Sequence, residues 1–295
     1  MTARPIRKCI WTGFALFALC AFAAQTKHPA SGLVLKVDQS KHLVTVSCVE
    51  IPGYMDAMVM TFQMRGPEGI QELVPGVTID FTMSTDKSRT YADEIRVHPF
   101  QSLELDPTQA RRLKLMENLV APGGESKAIS PGQRVPDFSL TDQTLNPIRL
   151  SQFSGKVVAL TFIYTRCPLP DYCFRLSNNF GQLQKRFRTR MGSDLVLLSI
   201  VIDPAHDQPA ALADYARTWK ADTHAWHFLT GPLPEIEKLA RGFDMNFYPD
   251  EALFVHSFHT VVIDRQGTLA ANLEGNSFSA KQLGDLVETV MAKSN

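Results

Sequence analysis

Lys156-Val157-Val158-Ala159-Leu160-Thr161-Phe162-Ile163-Tyr164, continued by Thr165-Arg166-Cys167-Pro168-Leu169-Pro170-Asp171-Tyr172-Cys173, decides how this 295-residue chain is read. A nearly unbroken apolar run of this kind predicts a strand buried on both faces, as in a parallel sheet. It leads directly into a cysteine. Pro168 and Pro170 keep the next residues out of a helix, so a helix is expected to begin near Asp171. Cys173 then falls in its first turn, where unpaired amides and the helix dipole favour a thiolate. A redox CxxC pair has two residues between its sulfurs, whereas five separate these. The wider loop can close a disulfide, and it also leaves two sulfurs room to grip a metal.

Downstream, strands and helices alternate. Leu176, Phe180, Leu183, Phe187 and Met191 recur at helical spacing, and Leu195 to Ile202 reads as a second buried strand. Asp207 is expected to cap a helix starting at Pro209. Trp226–Leu229 reads as a short strand and Pro234–Phe243 as a helix. Thr260–Ile263 and Thr268–Leu273 form a hairpin around Asp264-Arg265-Gln266-Gly267, and Ser279 caps a last helix. This order, with its strand-to-cysteine junction, predicts a thioredoxin-like α/β domain. His256 and His259 stand just before the Thr260 strand, which in that topology lies beside the cysteine strand.

Upstream, residues 30–98 hold short strands without a helical period: Leu33–Val37, Leu43–Cys48, Met58–Met64, Val77–Met83 and Glu94–Val97. Five such strands predict a small all-β, OB-like barrel. Met55, Met58, Met60 and Met64 put four of the ten methionines into ten residues. Met58, Met60, Phe62 and Met64 share strand parity and one face. Core packing is one reading of that stripe. Methionine is not a favoured strand residue, however, and its thioether is a soft ligand suited to Cu(I). Cys48 ends a neighbouring strand, where it can add a thiol.

At the start, Arg4, Arg7 and Lys8 precede the apolar run Ile10–Ala24, and Ala21-Phe22-Ala23 offers a small-x-small cut. This predicts an export signal or a retained anchor, and a periplasmic protein, free or tethered to the inner membrane. Outside this segment the cysteines are Cys48, Cys167 and Cys173, an odd number that points to a reactive or metal-binding thiol rather than a disulfide scaffold. With 30 basic and 30 acidic residues the chain lacks the basic stripe that nucleic-acid binding requires. The expected organisation is a signal or anchor over 1–27, a barrel over 28–100, a linker over 101–130 with a helix from Asp106-Pro107, and the cysteine domain over 131–295.

Several of these residues together resemble the Sco/SenC family. They are Gly155-Lys156-Val157-Val158, Tyr164-Thr165-Arg166-Cys167-Pro168, Asp203-Pro204-Ala205-His206-Asp207, Trp226-His227-Phe228-Leu229-Thr230-Gly231, and Val255-His256-Ser257 with Ile263-Asp264-Arg265-Gln266-Gly267. The resemblance implies copper, Cu(I) or Cu(II), held by Cys167, Cys173 and His256, and service in assembling the CuA centre of cytochrome c oxidase. The implied partners are the CuA-bearing subunit and other periplasmic copper proteins. His256, and not His259, matches the family ligand by its distance from Gly267. The usual family motif has three residues between its cysteines. The barrel is similar to the CusF type, whose site combines a strand histidine, an aromatic residue and two methionines spaced by one. Met58 and Met60 match the pair, Cys48 falls where the histidine would be, and Met55 where the tryptophan would be. Cys48 has no intradomain partner, so the site is expected to be sensitive to oxidants. The rival function is a thiol-disulfide reductase acting on oxidase cysteines through Cys167 and Cys173. A peroxiredoxin would have Thr three residues before the cysteine, where Tyr164 stands.

Overall fold

A computed structural model describes residues 27–65, 73–86, 89–98, 107–120, 128–250 and 253–293. The expected export signal and the Ala121–Ser126 part of the linker lie outside the described residues.

The first unit is a closed five-stranded barrel in the order β1-β2-β3-β5-β4. Its strands are β1 (Lys27–Asp38), β2 (Leu43–Cys48), β3 (Val59–Met64), β4 (Thr78–Asp86) and β5 (Arg89–His98). Alternation builds its interior: Val34, Val44, Val46, Phe62, Ile79, Phe81 and Met83 point inward and are buried together. Gly32 lets β1 and β2 cross closely, since a Cβ there would stand 2.5 Å from the Ser47 carbonyl oxygen. The opposite face of β1 is also buried. Leu33 and Leu35 enter the core of the second unit, where each contributes about 1.5–3 kcal/mol of burial.

Helix α1 (Pro107–Val120) bears out the helix expected from Asp106-Pro107. The second unit has a seven-stranded sheet ordered β14-β13-β8-β9-β10-β6-β7. The expected elements are β8 (Val157–Ile163), α2 (Arg175–Arg186), β9 (Leu195–Val201), α3 (Pro209–Thr218), β10 (Trp226–Thr230), α4 (Leu233–Gly242), β13 (His259–Ile263), β14 (Leu269–Glu274) and α5 (Ala280–Met291). β8, β9 and β10 run parallel, and every residue of all three is buried. The sheet places β13 beside β8, pairing Thr260 with Thr161 as the topology required. Ser279 caps α5 reciprocally with Gln282. Two hairpins were not read from the sequence: β6 (Ser139–Asp142) with β7 (Pro147–Arg149), and β11 (Phe247–Asp250) with β12 (Leu253–His256).

α5 joins the two units. The Ser47 hydroxyl donates to the Asp285 carboxylate (2.7 Å), and the Gln282 amide donates to the Ser47 carbonyl (3.2 Å). Asp285 also pairs with Arg186 and Lys281, each at 2.8 Å. Burial opposes its ionisation, but these hydrogen bonds hold its carboxyl below the usual range. Gly76, at φ +99°, packs its backbone onto Ala271 and Asn272 of β14, where a side chain would be both strained and crowded. Among the described residues no helix is long and apolar enough to cross a membrane.

Candidate metal centre

Cys167 lies in the loop leaving β8, and Cys173 in the turn that precedes α2. That turn, Pro170–Phe174, is wide and broken at Tyr172 (φ −109°, ψ −113°), so α2 begins only at Arg175. Cys173 thus lies in an irregular first turn, one residue past the break. It is 1% exposed and packs in the domain core. Burial drives its thiol well above the ordinary range, and the neighbouring Cys167 adds to the effect. The thiolate expected at Cys173 belongs instead to Cys167. A hydrogen bond from the Cys173 thiol lowers the Cys167 pKa, assisted by backbone contacts and by Tyr164. Both thiols are free, and each shifts the ionisation of the other.

Two aspartates pin the Cys167 loop. The Thr165 hydroxyl and amide donate to Asp207 (2.5 and 3.1 Å), and Arg166 donates to Asp203 (2.6 Å). Asp207 was expected to cap α3, but the cap position is Gln208, without a side-chain bond. Asp207 turns inward to the loop, and burial raises its pKa. Burial also opposes ionisation of Asp203, but His206 and Arg166 outweigh it and hold the carboxyl low. On the other side, the Asn276 amide donates to the Asp171 carbonyl, and Arg175 donates to the Ser277 carbonyl at 3.1 Å. These partners are distant in sequence.

His256 ends β12 and is 8% exposed. Its ring meets Tyr164 edge-on at 5.9 Å and Phe258 at 4.6 Å. Tyr164 in turn interacts with both cysteines, and Tyr172 packs on Phe258 at 4.8 Å. Nδ1 lies 2.8 Å from the Ser257 carbonyl oxygen, which can only accept, so Nδ1 carries the proton and Nε2 the lone pair. Burial lowers the His256 pKa to about 4, which keeps the ring neutral and fit to ligate at neutral pH. His259 faces β14 instead, with Nδ1 3.0 Å from Asn272 Oδ1.

The donor set suits a soft ion: a low-pKa thiolate, a second thiol and a neutral imidazole. Among the described residues, no three His, Cys, Asp or Glu side chains stand close enough to hold a metal as placed. Tyr164 and Phe258 flank His256. The sequence did not single out Tyr164 for this position. Its place directly after β8 and its position at the head of the stretch Tyr164-Thr165-Arg166-Cys167-Pro168 are the signals that could have done so.

In the barrel, Cys48 is 1% exposed and burial pushes its thiol up to about 12. The expected sensitivity to oxidants does not follow, because the reactive form is the thiolate and burial suppresses it. Cys48 N donates to the Met58 carbonyl (2.9 Å), and Met60 pairs with Val46, which brings both methionines beside the end of β2. Exposure falls inward along the stripe: Met58 is 46% exposed, Met60 half-buried and Met64 part of the core. Met55 forms a one-bridge turn with Ile51 and packs on the same core.

Fold and thiol pair define a thioredoxin-like dithiol protein joined to an OB-like barrel. The chain belongs to the SCO1/SenC family, whose model matches residues 126–292, more than half of its length. A second family model, copper binding periplasmic protein CusF, matches residues 27–95. Both resemblances read from the sequence thus hold, and copper is the metal named in the second description. A Stutzerimonas stutzeri protein whose name proposes copper binding is 26% identical over 146 residues, 47% of this chain and 68% of that one. Protein sco1 of Schizosaccharomyces pombe is 27% identical over 150 residues, 48% of this chain, which spans 55% of that relative. Yeast Sco1 with copper bound aligns over 55% of this chain and 91% of its own, with 25% identity and a TM-score of 0.47.

The unequal thiols give a measurable consequence. Limited iodoacetamide treatment at neutral pH modifies Cys167 well before Cys173 or Cys48, as peptide mass spectrometry will show. The Cys167 rate rises with pH and levels off above its pKa of about 6, where the thiolate is fully formed. Equal labelling of all three cysteines would contradict this ordering.

Proposed function

We propose that the chain is an exported copper metallochaperone that supplies copper for assembly of the CuA centre of cytochrome c oxidase. In this reading Cys167, Cys173 and His256 hold the ion in the cysteine domain, residues 131–295, as Cu(I) or Cu(II). Cys48, Met55, Met58 and Met60 capture Cu(I) in the barrel, residues 28–100. The observation that carries the reading is the pairing of a low-pKa Cys167 thiolate with a second thiol, across Tyr164 from a buried imidazole whose Nε2 is unprotonated. Membership of the SCO1/SenC family and the CusF match support it. The receiving partner is the CuA-bearing subunit, with other periplasmic copper proteins as further recipients, and the working place is the periplasm, free or tethered to the inner membrane.

The same unequal thiols favour a second reading, a thiol-disulfide reductase. The Cys167 thiolate would attack a substrate disulfide, expel one substrate thiolate and form a mixed disulfide. Cys173, once deprotonated, would attack the Cys167 sulfur, release the second substrate thiolate and leave the chain oxidised as Cys167–Cys173. This exchange does not use His256. His256→Ala therefore separates the readings. A chaperone loses copper retention in the cysteine domain by about tenfold or more, with disulfide exchange nearly unchanged. Unchanged copper affinity in this variant would remove His256 from the site.

A further inference from the structure

One imidazole in the barrel has no role in the assignments above. His28 lies near the start of β1, two residues before Ala30 and six before Val34, both of which face the barrel interior. Strand alternation gives His28 the same inward face. Its cross-strand partner is Met83, which is buried inside the barrel. The ring is stacked under Tyr54 at 3.7 Å between centroids and 22° between planes. Its Nε2 is closed off from solvent and has no hydrogen-bond partner. A buried polar atom left unpaired costs about 1–3 kcal/mol, and an unfilled ion position is one of the few physical reasons for such an atom to persist.

The register shows which part of the barrel His28 occupies. β1 runs antiparallel to β2 and pairs Gly32 with Cys48. The residues before Gly32 therefore extend past Cys48, alongside the connection to β3, and Val49 N donates to the Ser31 carbonyl (3.0 Å). That connection contains Tyr54, Met55 and Met58. His28 thus sits at the barrel end where β2 finishes and β3 begins, the end that also holds Cys48, Met58 and Met60. Cys48 Sγ is directed at the Val46 carbonyl of its own strand (3.8 Å), which leaves the two thioethers without a strong partner donor.

We propose that His28 is a ligand of the barrel site, binding a soft monovalent cation of the Cu(I) class through Nε2 together with the Met58 and Met60 thioethers, under the Tyr54 ring. An imidazole lone pair joined to two thioethers is a donor set that this class of ion accepts. The nitrogen that a β2 histidine would supply comes here from β1. The proposal rests on the barrel reading given above, namely that the methionine stripe binds copper.

The test uses the full chain carrying Cys167→Ser and Cys173→Ser, loaded with one equivalent of Cu(I). Competition with a chromophoric Cu(I) chelator gives the affinity, and X-ray absorption at the copper edge reports whether an imidazole is bound. The expected result is an imidazole signature in this parent, lost in His28→Gln with a fall in affinity of about tenfold or more. His28→Met should keep binding but lose the signature. Circular dichroism checks the fold, and should His28→Gln fail to fold, the parent spectrum and His28→Met decide. Suppose the parent binds Cu(I) in a way that needs Met58 and Met60, yet shows no imidazole and is indifferent to His28→Gln. The His28 assignment is then wrong and the barrel reading survives. A parent that binds no Cu(I) overturns both.

Discussion

The full chain carrying Cys167→Ser and Cys173→Ser is expected to bind one copper, where the proposed pair of sites gives the native chain two. The lost ion is the one the cysteine domain holds, because serine oxygen is a hard donor that does not ionise near neutral pH, and a lone His256 cannot retain a soft ion. The two single variants should differ. Cys167 supplies the thiolate, while Cys173 is buried and must lose a costly proton before it ligates. Cys167→Ser therefore abolishes rapid capture. Cys173→Ser leaves a weakened site with two donors, its hydroxyl still able to donate to Cys167, whereas Cys173→Ala removes that hydrogen bond and raises the Cys167 pKa. Cys173→Ser also places a hydroxyl in an apolar core, at a cost of about 1–3 kcal/mol if it finds no partner, so Cys173→Ala serves as the packing control. Metal analysis after reductive loading, with thiol counting on the same samples, checks the stoichiometry. Two coppers retained by the double variant would contradict the assignment of these cysteines.

The contrast between Cys167 and Cys173 marks where the sequence stopped being informative. The apolar run Lys156–Tyr164 specified β8 because a strand covered on both faces needs little beyond continuous hydrophobicity. Ser279 specified the start of α5 because a cap and its partner lie three residues apart. Both are local signals. The electrostatics of Cys173 are not local. They depend on a broken turn at Tyr172, held from across the chain by Asn276 and Ser277, and on burial that only the folded core creates. Asp207 looked like a helix cap by position, yet a partner 42 residues earlier, Thr165, took its carboxylate. The β11–β12 hairpin was hidden for another reason: it is short, and Pro249 discourages a strand reading. His256 was legible as a candidate from its place before the Thr260 strand, and only its distance from Gly267 separated it from His259. His28 was not legible at all, because the ring that covers it comes from a turn 26 residues later.

Met58→Leu with Met60→Leu is expected to remove the copper proposed for the barrel and leave the barrel folded, so that the otherwise native chain again falls from two ions to one. The packing cost is small, since a volume-conserving swap costs under about 1.5 kcal/mol even in a core, and Met58 is 46% exposed. Leucine has no sulfur lone pair, so the loss of binding is chemical rather than structural. Met64→Leu is the discriminating control. It has the same strand parity, but it is 4% exposed and packs in the barrel core, so it should change stability slightly and copper not at all. If all three methionines behave alike, the stripe is packing and the barrel is a spacer for the cysteine domain. The pH dependence then identifies the role of Cys48. Its buried thiol is protonated at every pH below about 12. If it ligates as thiolate, each ion bound displaces one proton, and the apparent affinity rises about tenfold per pH unit across the neutral range. If the donors are thioethers and a neutral imidazole, binding displaces no thiol proton and that tenfold rise is absent. Proton release on Cu(I) binding, followed in weakly buffered solution with the cysteine domain's thiols replaced, reads the difference directly. A flat profile would make Cys48 part of the barrel wall and leave the methionines and His28 as the ligands.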